Sequence, residues 1–101
     1  MTTEDTWAQE RDEIAAELTG LGLTEQLDFY LVGRFPTDVP SSEHVAMGFR
    51  DGVYRVWYKD MGERRELAES AELGPARVVF VAEAVQLAGG RGRGPVAQER
   101  P

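Results

Sequence analysis

The sequence predicts an α+β fold in which a four-stranded antiparallel meander is flanked by an N-terminal and a C-terminal helix, in the order α-β-β-β-β-α. Residues 44–59 alternate apolar and polar side chains on both sides of Asp51-Gly52, a dipeptide typical of a type I′ hairpin turn. Segments with apolar residues at helical spacing precede and follow this hairpin. A length of 101 residues allows one domain with one core, which we assign to residues 1–88.

The first helix is predicted from Trp7, Ile14, Leu18 and Leu21, which recur at helical spacing with acidic residues between them. Gly20 interrupts this pattern and is expected to end the helix.

A first strand follows over residues 27–35, where apolar residues alternate with other side chains. A further helical turn over residues 24–27 is the alternative interpretation. Residues 36–42 are expected to form a loop, because Pro36 and Pro40 cannot donate a hydrogen bond to a strand neighbour.

The hairpin turn fixes which residues of the second and third strands face each other. On one face, the predicted pairs are Phe49 with Tyr54, Met47 with Val56 and Val45 with Tyr58. On the other face, the predicted pairs are Arg50 with Val53, Gly48 with Arg55, Ala46 with Trp57 and His44 with Lys59. The first face is continuously apolar and must be covered, most simply by both helices. The second face is basic and carries a tryptophan.

The fourth strand is expected to follow a two-residue turn at Met61-Gly62. This register would pair Leu67 with Val56 and place Glu66 beside Trp57. A three-residue loop over residues 60–62 would reverse the two faces, and we prefer the first register because it buries Leu67.

The last helix is predicted to begin at Gly74-Pro75 and to end at Gly89. Its inner stripe would consist of Val78, Val81 and Val85, flanked by Phe80, Ala84 and Leu87. The β-branched residues within 77–82 also permit a strand, but the proline, the alanines and the closing glycine favour the helix.

Residues 89–101 form a Gly/Arg/Pro-rich tail with few apolar side chains. Such a segment cannot offset the entropy cost of its own ordering, so the sequence predicts that the tail is disordered. Truncation after Gly90 would then leave stability unchanged.

Composition narrows the classes of function. The chain has no cysteine, which excludes disulfides and thiolate chemistry, and it has no apolar run long enough to span a membrane. We therefore expect a cytoplasmic protein without a membrane partner. The net charge is −7, and residues 1–88 alone carry −9. This field opposes binding to nucleic acid and favours encounter with a basic partner.

No residue pattern indicates catalysis, a metal or a cofactor. His44 follows Ser41, Ser42 and Glu43, but residues so close in sequence do not converge in triad geometry without a special turn. One histidine and scattered carboxylates make no spaced ligand set. We expect a non-enzymatic protein without cofactors.

The candidate partner-binding residues are Trp57, Arg55 and Tyr30, since tryptophan, tyrosine and arginine dominate the binding energy of protein interfaces. The carboxylates of Asp38 and Glu43, with the acidic first helix, would steer a basic partner. In the alternative interpretation, Trp57 is structural. It would then lie across small residues under a stacked guanidinium, or beneath the loop of residues 36–42.

Residues 51–66 and 76–87 resemble small actinobacterial immunity proteins of polymorphic toxin systems. The matching features are a Gly-x-Tyr-x-Val-x-Tyr-like strand from Gly52 to Tyr58, a charged turn and strand, and a closing helix with Glu83. The resemblance covers roughly residues 5–88. It implies a cytoplasmic protein that binds one cognate toxin, for example one with a basic cleft, and blocks its active site or the access of its substrate.

Two other classes fit a small acidic domain. A secretion chaperone or adaptor would offer an apolar groove for its client. A ligand-binding regulatory domain would need a pocket with converging polar groups.

Overall fold

A computed structural model describes residues 4–34 and 43–98. Its helices and strands, in chain order, are α1 (Glu4–Gly20), β1 (Phe29–Leu31), β2 (Glu43–Arg50), β3 (Val53–Asp60), β4 (Glu63–Ser70), α2 (Leu73–Gly90) and α3 (Gly94–Gln98). The fold is α+β, as predicted, with one four-stranded sheet in the order β1-β2-β3-β4. No helix in the described part of the chain is long and apolar enough to cross a membrane.

The core lies between the sheet and the two long helices. Trp7, Ile14 and Leu18 of α1 are buried there, and α2 contributes Phe80 and three alanines. From the sheet, the core takes Phe29, Leu31, Val45, Met47, Tyr54 and Val56. These side chains alternate along their strands and so share one face. Both long helices therefore pack on the apolar face, as predicted, although Leu21 is 38% exposed and lies outside the core.

The central hairpin has the register that the sequence predicts. Phe49 lies opposite Tyr54, and Ala46 lies opposite Trp57. Asp51 and Gly52 have φ of 54° and 78°, the positive values that a type I′ turn needs at both central positions. This local turn determines the two faces of β2 and β3.

The predicted antiparallel meander is wrong at its first strand. β1 has three residues and pairs parallel to β2, with Phe29 beside Val45 and Leu31 beside Met47. Of the strand predicted over residues 27–35, only residues 29–31 are extended among those described, and residue 35 lies outside the described part. Residues 24–28 instead make a turn, in which the amide of Asp28 donates to the carbonyl of Thr24. The loop predicted over residues 36–42 lies outside the described residues.

The turn at Met61-Gly62 is confirmed, because Asp60 pairs with Glu63. Glu66 lies opposite Trp57 as predicted, but the register then shifts and Ala68, instead of Leu67, lies opposite Val56. Leu67 is the extra residue of a β-bulge. Both Leu67 and Ala68 are partly buried against the core.

Residues 77–82 are helical, which settles the choice between helix and strand. The predicted inner stripe of α2 is wrong, however. The buried residues of the helix are Ala76, Phe80, Ala84, Ala88 and Gly89. Val78 is 70% exposed, and Val81 and Val85 are only partly buried. Because α2 is apolar on most of its circumference, the sequence alone does not select its inward side.

The chain beyond Gly89 also differs from the predicted tail. α2 continues to Gly90, and α3 forms one further turn and a half of helix. Between them, the backbone amides of Arg91 and Arg93 donate to the carbonyl of Ala88. The structure therefore describes a turn and a short helix within the segment for which the sequence predicts a disordered tail.

Candidate partner-binding site

Trp57 lies near the middle of the sheet on the face that points away from α1 and α2. β3 carries it beside Ala46 of β2, and β1 carries Tyr30 on the far side of Ala46. Two aromatic side chains therefore flank one small residue across three strands. Tyr30 also makes an edge contact with the ring of His44, with 6.2 Å between the ring centroids.

A glycine makes room for the indole. A Cβ atom built on Gly48 would lie 3.4 Å from the Trp57 ring and 3.0 Å from Cγ2 of Val32. Because Gly48 has no side chain, Trp57 and Val32 can approach each other across β2. Gly48 forms the floor between them.

Arg64 of β4 stacks on Trp57. Its guanidinium carbon lies 3.9 Å from the ring centroid, a cation–π geometry. Its Nε–H donates to Glu66, the cross-strand neighbour of Trp57, at 2.6 Å. The structural interpretation of Trp57, an indole over small residues under a guanidinium, is therefore what the structure shows. The indole is still only half-buried.

A groove of about 600 Å³ opens beside the tryptophan. Its lining residues are Val32, Gly48, Phe49, Arg50, Arg55, Trp57 and Arg64. Among the described residues, the lining therefore combines apolar surface with three guanidinium groups and contains no carboxylate. This local composition is the reverse of the net charge of −7.

The three groove arginines keep most of their hydrogen-bonding capacity. The nearest carboxylates of Arg50 and Arg55 lie at 3.7 and 3.9 Å, which is too far for a hydrogen bond. The bond from Arg64 to Glu66 uses one of its five N–H groups. Arg77 and Arg93, by contrast, each donate to a carboxylate at 2.7 Å. The groove therefore presents cationic donors to whatever enters it.

The other predicted site residues are divided between two places. Arg55 and Tyr30 lie on the Trp57 face, as expected. Glu43 lies on the helix-covered side of the sheet, where it accepts hydrogen bonds from the hydroxyl of Tyr58 and from Arg91. It is thus separated from Trp57 and is engaged within the fold. Asp38 lies outside the described residues.

The bond to Glu43 raises the pKa of Tyr58 to about 12. Ionisation of the phenol would break this hydrogen bond and place a second negative charge beside the carboxylate, and partial burial adds to the effect. The hydrogen bond between Tyr58 and Glu43 also links the start of β2 to the end of β3.

A second polar cluster was not foreseen in the sequence. Asp28 is fully buried and accepts hydrogen bonds from Arg93, from Arg91 and from the backbone amide of Thr24. Burial alone would raise the pKa of Asp28, but these three donors together hold it below its ordinary value. Arg91 also donates to the backbone carbonyl of Glu43 at 2.7 Å. This buried cluster ties the chain after α2 to the segment before β1.

The only sequence signals for this cluster were one acidic residue before a strand and two arginines in the supposed tail. No local sequence pattern connects Asp28 with Arg91 and Arg93, which lie 63 and 65 positions further along the chain. Because Asp28 is buried and pairs with Arg91 and Arg93, we assign the cluster to stability and keep the Trp57 groove as the candidate binding site.

Comparisons of the chain with family models, with curated proteins and with solved structures gave no match.

Proposed function

We propose that this chain is a non-catalytic binding protein whose protein partner docks on the Trp57 face of the sheet. One observation carries the proposal, namely a half-buried Trp57 beside three arginines that line an open groove. Tryptophan and arginine are the residues that most often dominate interface energies, because they bury large, rigid or planar surfaces. The stacking of Arg64 on Trp57 holds both in place before any partner arrives, which lowers the entropy cost of binding.

We further propose that the partner is a bacterial toxin domain and that the protein acts in the cytoplasm as its immunity protein. The support is the resemblance of residues 51–66 and 76–87 to such proteins. The acidic residues of α1 add to it, since they would speed the approach of a toxin with a basic surface. A tight complex would block the active site of the toxin or the access of its substrate.

Co-expression with a toxin domain encoded next to this gene tests the proposal. The wild type should co-purify with the toxin and protect the cells. The double variant Trp57→Ala, Arg55→Ala should fold normally and bind about thirtyfold more weakly, because it removes two central side chains of the interface. Arg65→Ala is the matched control, since Arg65 lies beside Tyr58 on the other side of the sheet.

Three results would count against the proposal. A folded double variant that protects as well as the wild type would place the interface elsewhere. An equal loss in the Arg65→Ala control would show that the effect is not specific to the Trp57 face. A wild type that binds no neighbouring toxin would refute the immunity function and favour an adaptor.

A further inference from the structure

The charge of the groove specifies the chemistry of what enters it. Arg50, Arg55 and Arg64 all line the groove, whereas no acidic side chain of residues 4–34 and 43–98 does so. A guanidinium group recognises a carboxylate through two parallel N–H bonds, and these charge-assisted bonds are stronger than neutral ones. The groove therefore complements an anion of the size of a carboxylate side chain.

The state of Arg50 and Arg55 supports this assignment. Elsewhere in the fold, Arg34, Arg77 and Arg93 donate to carboxylates at 2.5 to 2.7 Å. The acidic chain thus has abundant carboxylates with which to pair its arginines, but those beside Arg50 and Arg55 stay at 3.7 Å or more. Arg55 is moreover only 35% exposed, and its cross-strand carboxylate, Glu69, lies at 3.9 Å, beyond hydrogen-bond distance. Such a guanidinium gains most from a carboxylate brought by a partner.

The apolar part of the groove indicates a segment of protein. Val32 lines it together with the indole of Trp57, so a ligand would bury apolar surface as well as a charge. A polypeptide segment with acidic side chains meets both requirements. Single-stranded nucleic acid would also stack and pair with such residues, but the net charge of −7 opposes a polyanion over longer distances.

We propose that the groove binds an acidic segment of the partner protein, whose carboxylates pair with Arg50 and Arg55 while an adjoining side chain packs against Trp57. The assignment rests on the proposed function and specifies its partner. The partner would then have two charged regions. Its acidic segment would occupy the groove, and a separate basic region would be attracted by the acidic residues of α1.

An NMR titration of the whole chain tests the groove without any toxin. The probe is a peptide of about eight residues that alternates aspartate with serine, compared at equal concentration with asparagine–serine and lysine–serine peptides of the same length. The indole N–H signals report binding, with that of Trp57 assigned by Trp57→Phe. We expect the acidic peptide alone to shift the Trp57 signal, whereas that of the buried Trp7 stays in place.

Substitutions of arginine test which side chains bind the acidic peptide. Arg50→Ala with Arg55→Ala should weaken the acidic peptide about tenfold or more, because both carboxylate partners are lost. Arg65→Ala removes the same charge from the other side of the sheet and should leave binding within about twofold of the wild type.

Several outcomes would overturn the assignment. These are no shift with the acidic peptide, an equal shift with the asparagine peptide, or equal weakening in the Arg65 control. A short oligothymidine that binds the groove more tightly than the peptide would instead assign it to nucleic acid. The proposed function fails separately, if the wild type binds a neighbouring toxin and the Trp57 double variant binds it equally well.

Discussion

Asp28 and Arg93 form a bidentate ion pair although they lie 65 positions apart in sequence. The guanidinium of Arg93 donates from Nε and Nη2 to the two oxygens of the carboxylate, at 2.8 and 2.7 Å. The carboxylate is fully buried, and its charge favours the protonated form of Arg93, whose pKa is raised. The segment after α2 is therefore held in place by the turn that precedes β1.

Removal of this carboxylate should destabilise the fold. We expect Asp28→Ala to lower the free energy of unfolding by about 3 kcal/mol, because Arg91 and Arg93 would then lose their buried counter-ion. Truncation after Gly90 should have a similar effect, since it leaves Asp28 buried without either arginine. Urea denaturation measures both. Glu13→Ala on the exposed side of α1 is the control, and a truncated chain as stable as the wild type would show that the cluster contributes nothing.

The same residue predicts a pH dependence. The pKa of Asp28 is below its ordinary value of 3.8 in the folded chain. The stabilisation that ionised Asp28 contributes is therefore fully present above about pH 4 and is lost as the pH falls through the pKa of Asp28 in the folded chain. We expect the difference in unfolding free energy between the wild type and Asp28→Asn to shrink as the pH is lowered below 4. A difference that stays constant down to the acid transition would contradict this account.

The facing of α2 can be checked with one pair of variants. Phe80 is fully buried and packs edge-on against Phe29, so Phe80→Ala should cost about 3 to 5 kcal/mol. Val78 is 70% exposed, and Val78→Ala should change stability by no more than about 0.5 kcal/mol. Thermal or urea unfolding measures both changes. A large loss of stability with Val78→Ala would instead support the sequence-based prediction that Val78 faces the core.

Gly48→Ala should disturb the groove itself. The added methyl group would press on Val32 at 3.0 Å and touch Trp57 at 3.4 Å, and we expect a loss of about 1 kcal/mol in stability together with weaker partner binding. Gly74→Ala is the matched control, because a Cβ there meets no atom within 4 Å. Unfolding curves and the titration of the acidic peptide report the two effects. Unchanged peptide binding would mean that the indole need not lie across the glycine.

Features set by neighbouring residues could be predicted from the sequence. The turn at Asp51-Gly52 determines the pairing of β2 with β3 because both residues accept positive φ, and it thereby brings Trp57, Arg55 and Gly48 to one face. The turn at Met61-Gly62 places Glu66 beside Trp57 in the same way. The centre of the candidate site therefore follows from two short turns.

Features that depend on distant contacts could not be predicted. The parallel pairing of β1 is set by where a connection of eleven residues returns to the sheet. The side of α2 that faces inward is chosen by the fit of Phe80 against Phe29, because valines and alanines surround the helix. The sequence allowed for a guanidinium stacked on Trp57 but did not identify Arg64 as its source. The partners of Asp28 lie in a segment whose composition resembles a disordered tail.

The bulge at Leu67 affects how this protein meets copies of itself. β4 is an outer strand of the sheet, where unpaired backbone groups can recruit a strand from another molecule and start aggregation. Its first half, Glu63 to Glu66, consists entirely of charged residues, and the bulge then breaks the even spacing of donors and acceptors. A flat foreign strand would find no regular template there. The sheet is thereby protected against extension along this side, and recognition is left to side chains on its open face.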